Sequence, residues 1–106
     1  MTKEERSEME HHIITVLETI FDPEIPVNVY ELGLIYEIII GDEGHVKIIM
    51  TLTSPNCPVA ESLPQEVKDK VSMVKGVTAA EIALTFEPPW DQSMLSDEAK
   101  LELGFL

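Results

Sequence analysis

A chain of 106 residues with 44% apolar side chains has the makeup of one folded domain, 1–106, and is too apolar to remain disordered. Its 20 acidic and 7 basic side chains leave a formal net charge of -13. That excess argues against nucleic acid or an anionic membrane surface as partner, because both are met by clustered Lys and Arg.

The opening residues, Met1-Thr2-Lys3-Glu4-Glu5-Arg6, lack the apolar stretch of a signal peptide, and no run is long enough to span a bilayer. Thr2 and Glu5 have the spacing of a capping box, and Met9, Ile13, Val16, Leu17 and Ile20 recur at helical spacing. The pattern predicts an amphipathic helix over Lys3–Ile20, stopped by Asp22-Pro23 because the residue before proline avoids helical backbone. From Asp22 to Gly33 two prolines and Asn28 sit among Ile25, Val27 and Val29, the composition of an ordered loop pinned to the core. Leu34–Ile40 reads as a strand, Gly41-Asp42-Glu43-Gly44 as a hairpin loop, and His45–Thr53 as the return strand. Val46, Ile48, Met50 and Leu52 alternate on one face of that return strand.

Ser54-Pro55-Asn56-Cys57-Pro58 forms a tight connection to a second helix with Leu63, Val67, Val71 and Val74 on one stripe. Pro64 leaves two readings open: a kink in a helix begun at Pro58, or a place in the first turn of one capped by Ser62 and Gln65. Lys75-Gly76 is a stop signal. Ile82, Leu84 and Phe86 alternate in a third strand that ends at Glu87-Pro88-Pro89-Trp90. Ser96 caps a short helix over Asp97–Leu103, closed by Gly104 and followed by the apolar pair Phe105 and Leu106. The expected fold is α+β: helix, hairpin, helix, strand, short helix. Its small mixed sheet has three strands, the second and third parallel, and both long helices cover one face in a two-layer domain.

The chain's only cysteine, Cys57, lies between a strand end and a helix start, where backbone N–H groups favour the thiolate. A buried structural cysteine is the alternative. A lone cysteine cannot form an intramolecular disulfide, which with the missing leader points to a reducing cytoplasm. Asp22 and Glu24 flank Pro23 and Glu31 follows in the same loop; carboxylates there bind a metal, act as bases or cap backbone donors. For Asp22 alone the turn-capping role is preferred. His11 and His12 are helix neighbours that point apart, and His45 sits at the hairpin edge, so no histidine metal site is expected. Trp90 either closes the core or serves as an exposed anchor, with the core role favoured.

Four motifs in this order resemble the SufT/PaaD-like family of metal–sulfur cluster assembly proteins, in its SufT-type branch. They are Asp22-Pro23-Glu24-Ile25, Tyr30-Glu31-Leu32-Gly33-Leu34-Ile35, Thr51-Leu52-Thr53 running into Cys57-Pro58, and Glu87-Pro88-Pro89-Trp90. The resemblance implies a compact α+β domain whose reactive residue is Cys57, supported by Asp22, Glu24, Glu31, Thr53 and Asn56. It further implies an accessory factor of the SUF pathway that helps assemble iron–sulfur clusters or pass them to client apoproteins. The family often has Asp where this chain has Glu31. The chain also lacks the C-terminal cysteines of the PaaD-type branch.

One thiolate is too few for a cluster, which takes four ligands. Any iron–sulfur cluster is therefore expected to be transient and held with metal ligation by Cys57 of two chains in a homodimer, or with a partner or small thiol. No catalytic residue is identified, so an enzyme is not expected. Two rivals stand beside this expectation: a thiol-dependent redox or transferase enzyme acting at Cys57, and an interaction adaptor whose cysteine is structural.

Overall fold

The computed structural model describes residues 2–22, 25–53 and 62–104. Thr2 opens the first helix, α1 (Lys3–Leu17), with a complete capping box. The Glu5 N–H donates to Thr2 Oγ1 at 3.1 Å, and the Thr2 N–H donates to Glu5 Oε1 at 3.0 Å. The helix buries Met9, Ile13 and Leu17. Burying one such aliphatic side chain is worth about 1.5–3 kcal/mol, against ~0–1 kcal/mol for an exposed ion pair. The stripe, and not the exposed Arg6–Asp42 ion pair to the hairpin, therefore holds α1 on the sheet.

The helix stops three residues short of the predicted Ile20. Thr19 and Ile20 donate to Val16 and Leu17, tightening the last turn, while the Ile20 carbonyl accepts the Val29 N–H at 2.8 Å. Ile20 is still fully buried. Its apolar character serves the turn that leads into the loop, so periodicity overruns the helix end.

Strands β1 (Ile35–Ile40) and β2 (His45–Met50) form the antiparallel hairpin, with a bulge at Tyr36. Strand β3 (Ala79–Leu84) lies parallel to β2 in the order β1-β2-β3. This is the expected mixed sheet. Both outer strands are shorter than the alternation suggests, and Phe86 lies beyond β3, partly exposed. β2 is likewise shorter than the predicted His45–Thr53, although Thr51 still donates to the Leu34 carbonyl at 2.9 Å.

Val46, Ile48 and Met50 of β2 are buried on the face covered by α1 and by α2 (Ser62–Val71), whose Leu63, Val67 and Val71 join the same core. Pro64 sits in the first turn of α2, and the Gln65 side-chain amide donates to Asp69 Oδ1 at 2.8 Å. Gly44 closes the hairpin at φ +82, and a Cβ there would stand 2.2 Å from the Gly76 carbonyl oxygen.

After β3 the chain makes a 3-10 turn at Gln92–Met94, which the sequence pattern does not announce, and then α3 (Asp97–Glu102). Ser96 caps α3 as expected, accepting the Ala99 N–H at 3.1 Å. Leu95 and Ala99 are buried in the same core cluster as Leu32 and Leu34 and tie this end to it. Among the described residues, no helix is long and apolar enough to cross a membrane.

Candidate functional site

The segment that carries Cys57 and Asn56 spans residues 54–61 and lies outside the described residues, as does Glu24. Its two ends, Thr53 after β2 and Ser62 at the start of α2, are described. The fold therefore fixes where the cysteine segment leaves the sheet and where it rejoins a helix.

A ladder of main-chain hydrogen bonds brings the acidic loop to the point of departure. Thr51 N–H donates to the Leu34 carbonyl (2.9 Å), Leu34 N–H to Val29 (3.2 Å), and Val29 N–H to Ile20 (2.8 Å). Asp22 lies two residues beyond Ile20, and its N–H donates to the Val27 carbonyl at 3.3 Å. Loop and strand end are thus laced into one unit because each supplies the other's main-chain partners, as buried backbone requires.

Asp22 is buried, 4% exposed, and its Oδ1 accepts the Ile25 N–H at 3.1 Å. This is the turn-capping role expected of an Asp before proline. Thr53 is half-buried at the mouth of the segment.

Glu31 points elsewhere. Its carboxylate accepts the Ser96 hydroxyl, its carbonyl accepts the Ser96 N–H at 2.9 Å, and its own N–H donates to Asn28 Oδ1 at 2.9 Å. Glu31 thus clamps the start of α3 to the loop. The same loop is closed from the other side by Trp90, half-buried, whose indole N–H donates to the Leu32 carbonyl at 2.7 Å. The favoured core role of Trp90 is borne out.

The motif Thr51-Leu52-Thr53 gave Thr51 no role of its own. Its side chain is fully buried and, among the described residues, its hydroxyl has no hydrogen-bond partner. Such a group costs about 1–3 kcal/mol and calls for an explanation at a functional position. The alternation of β2 offered no signal, because it assigns Thr51 to the face opposite Met50.

No group of three or more His, Cys, Asp or Glu able to hold a metal exists among the described residues. What these residues can supply is a buried carboxylate, a buried hydroxyl and a rigid frame around the exit of residues 54–61.

Comparison with known proteins bears on this frame. The sequence model of a family described as iron–sulfur cluster assembly protein matches residues 10–82. The chain is 56% identical over 97 residues, 92% of each chain, to a protein of Porphyromonas gingivalis named Fe-S protein maturation auxiliary factor. It is 34% identical to the Fe-S protein maturation auxiliary factor SufT of Staphylococcus aureus, covering 80% of this chain and 97% of that one. Among solved structures, a domain of unknown function, DUF59, from Bacillus anthracis superposes with a TM-score of 0.87 at 33% identity, covering 94% of this chain and 95% of that one.

Proposed function

Because the chain belongs to the iron–sulfur cluster assembly protein family, we propose that it is a maturation factor that helps assemble iron–sulfur clusters or hand them to client apoproteins. The observation that carries this reading is the 56% identity, over 92% of both chains, to the auxiliary factor of Porphyromonas gingivalis. The reactive group in this reading is the Cys57 thiolate. It works in the cytoplasm beside the assembly machinery of the SUF pathway and is not an enzyme. The buried Asp22 and Thr51 hold the frame from which the cysteine segment departs, and Thr53 stands at its entrance.

The cluster is the cargo. A single thiolate supplies one of the four ligands a cluster takes, so the remaining ligands come from outside this chain: a second copy, the carrier, the client or a small thiol. Transfer follows from that count, because a cluster shared between molecules leaves with whichever one offers more ligands.

Anaerobic reconstitution with iron and sulfide, on the wild type and on Cys57→Ser, tests the reading. The expected result is a labile chromophore in the wild type alone, on a species of two chains or one completed by added thiol, with absorption and native mass read together. A stable iron chromophore on the monomer would overturn the sharing of ligands. Undiminished maturation of an iron–sulfur client by Cys57→Ser would remove Cys57 from the mechanism.

A further inference from the structure

Among the described residues, strand β1 stands at the edge of the sheet, with β2 as its one strand neighbour. Gly41 N–H donates to the His45 carbonyl at 2.8 Å, which fixes the hydrogen-bonding phase of the hairpin. With Ile38 opposite Ile48 and Ile40 opposite Val46, the alternation of antiparallel pairs turns the main-chain groups of Ile38 and Ile40 outward, away from β2. Beyond its pairing within the sheet, no main-chain hydrogen bond reaches β1 among the described residues.

Beside this open edge runs a groove of about 170 Å³ between α1 and β1. Ile14, Ile35 and Ile38 line it together with Tyr30, Tyr36, Glu10 and Glu37. Tyr36 is held in place by its hydroxyl, which donates to the Pro88 carbonyl at 2.7 Å, and Tyr30 is 37% exposed.

Among the described residues, the Glu10 and Glu37 carboxylates have no basic partner within ion-pair distance. Two ion pairs form among the described residues, Arg6–Asp42 and Lys70–Glu66. Arg6, one helical turn before Glu10, is thus committed to the hairpin. Lys47 faces the same side of the sheet as Glu37 without pairing to it.

We propose that the β1 edge docks an extended segment of a partner protein carrying Lys or Arg at two adjacent positions. The segment adds as a further strand on Ile38 and Ile40. Adjacent side chains of a strand leave on opposite faces, so one basic group meets Glu10 on the helix face and the other meets Glu37 on the far face, with Tyr30 and Tyr36 beside them. Charge selects this occupant over a second copy: pairing two chains would bring two formal charges of -13 together. An unprotected edge strand otherwise invites indiscriminate pairing, and acidic flanks restrict it to basic strands. This surface is built from α1 and β1 and does not rest on the role of Cys57.

The test titrates the full chain, isotope-labelled, with a capped peptide of two adjacent lysines flanked by valines, and with its counterpart carrying two adjacent glutamates. The lysine peptide is expected to shift the Ile38 and Ile40 amide signals and protect both amides from exchange. The glutamate peptide should leave them unchanged. Glu10→Gln with Glu37→Gln should weaken binding about tenfold, and Glu98→Gln with Glu102→Gln, which removes the same charge from α3, should weaken it less than twofold. Ile38→Pro, which deletes an outward N–H, should abolish binding with the circular dichroism spectrum retained. Perturbations centred on β3 or α3, equal binding of the glutamate peptide, or equal loss in both glutamine pairs would each overturn the proposal.

Discussion

At the scale of single residues, the tightest steric constraint near the candidate site is Gly33. It adopts φ +80, and a Cβ at this position would lie 2.2 Å from the Met94 carbonyl oxygen. Both facts follow from the passage of the C-terminal segment over the acidic loop, where Trp90 and Ser96 also bind. Gly33→Ala therefore meets a disfavoured backbone and a main-chain clash at once. It is expected to lower stability by more than about 1 kcal/mol, read as a fall in the urea midpoint at unchanged slope. The buried residues Asp22 and Thr51 differ from this in kind. One has its carboxylate engaged by Ile25, while the other retains an unsatisfied hydroxyl among the described residues, a local cost kept beside the cysteine segment.

At the scale of elements, the two helix starts make separate predictions. α3 is short, and a six-residue helix has little stability of its own. Ser96 both caps it and binds Glu31. Ser96→Ala should cost about 1 kcal/mol and release residues 96–104 first, seen as faster amide exchange there than in the sheet. The start of α1 carries a pH signature. Hydrogen bonds from the Thr2 main chain, and then from its hydroxyl, hold the Glu5 carboxyl below its ordinary value. A depressed value in the folded chain means the contribution is complete above the unfolded carboxylate pKa. It is lost as the pH falls through the lower folded value. The wild type should therefore melt above Glu5→Gln at neutral pH, with the gap closing as the pH is taken below the ordinary carboxylate range in a series of thermal scans.

At the scale of the whole molecule, the charge opposes the fold. A formal net charge of -13 on 106 residues repels itself, and few ion pairs relieve it among the described residues. Salt screens such repulsion over a Debye length of about 8 Å at physiological ionic strength. The melting temperature should consequently rise as sodium chloride is increased from near zero to about 0.15 M. A fall would mean that attractive surface pairs dominate. The same excess opposes pairing of two copies through the β1 edge and leaves that edge to a basic partner.

The elements themselves were legible in the chain because each rests on local chemistry. Thr2 with Glu5, the alternation of Val46, Ile48 and Met50, and Ser96 before α3 all act within a few residues. Element ends were less legible. Ile20 kept the helical period although the helix stops at Leu17, since burial and helicity leave the same apolar mark. The composition of the Asp22–Gly33 loop announced its order and the turn at Asp22, but not its partners. Only the tertiary structure placed Glu31 on Ser96, Trp90 on Leu32, and the loop against the end of β2, because those contacts join residues far apart in sequence. The sequence by itself determined an acidic α+β chain with one thiol between a strand and a helix. Tertiary packing decided which polar groups are buried beside that junction and which strands form the edges of the sheet, for burial and edges exist only once distant segments have met.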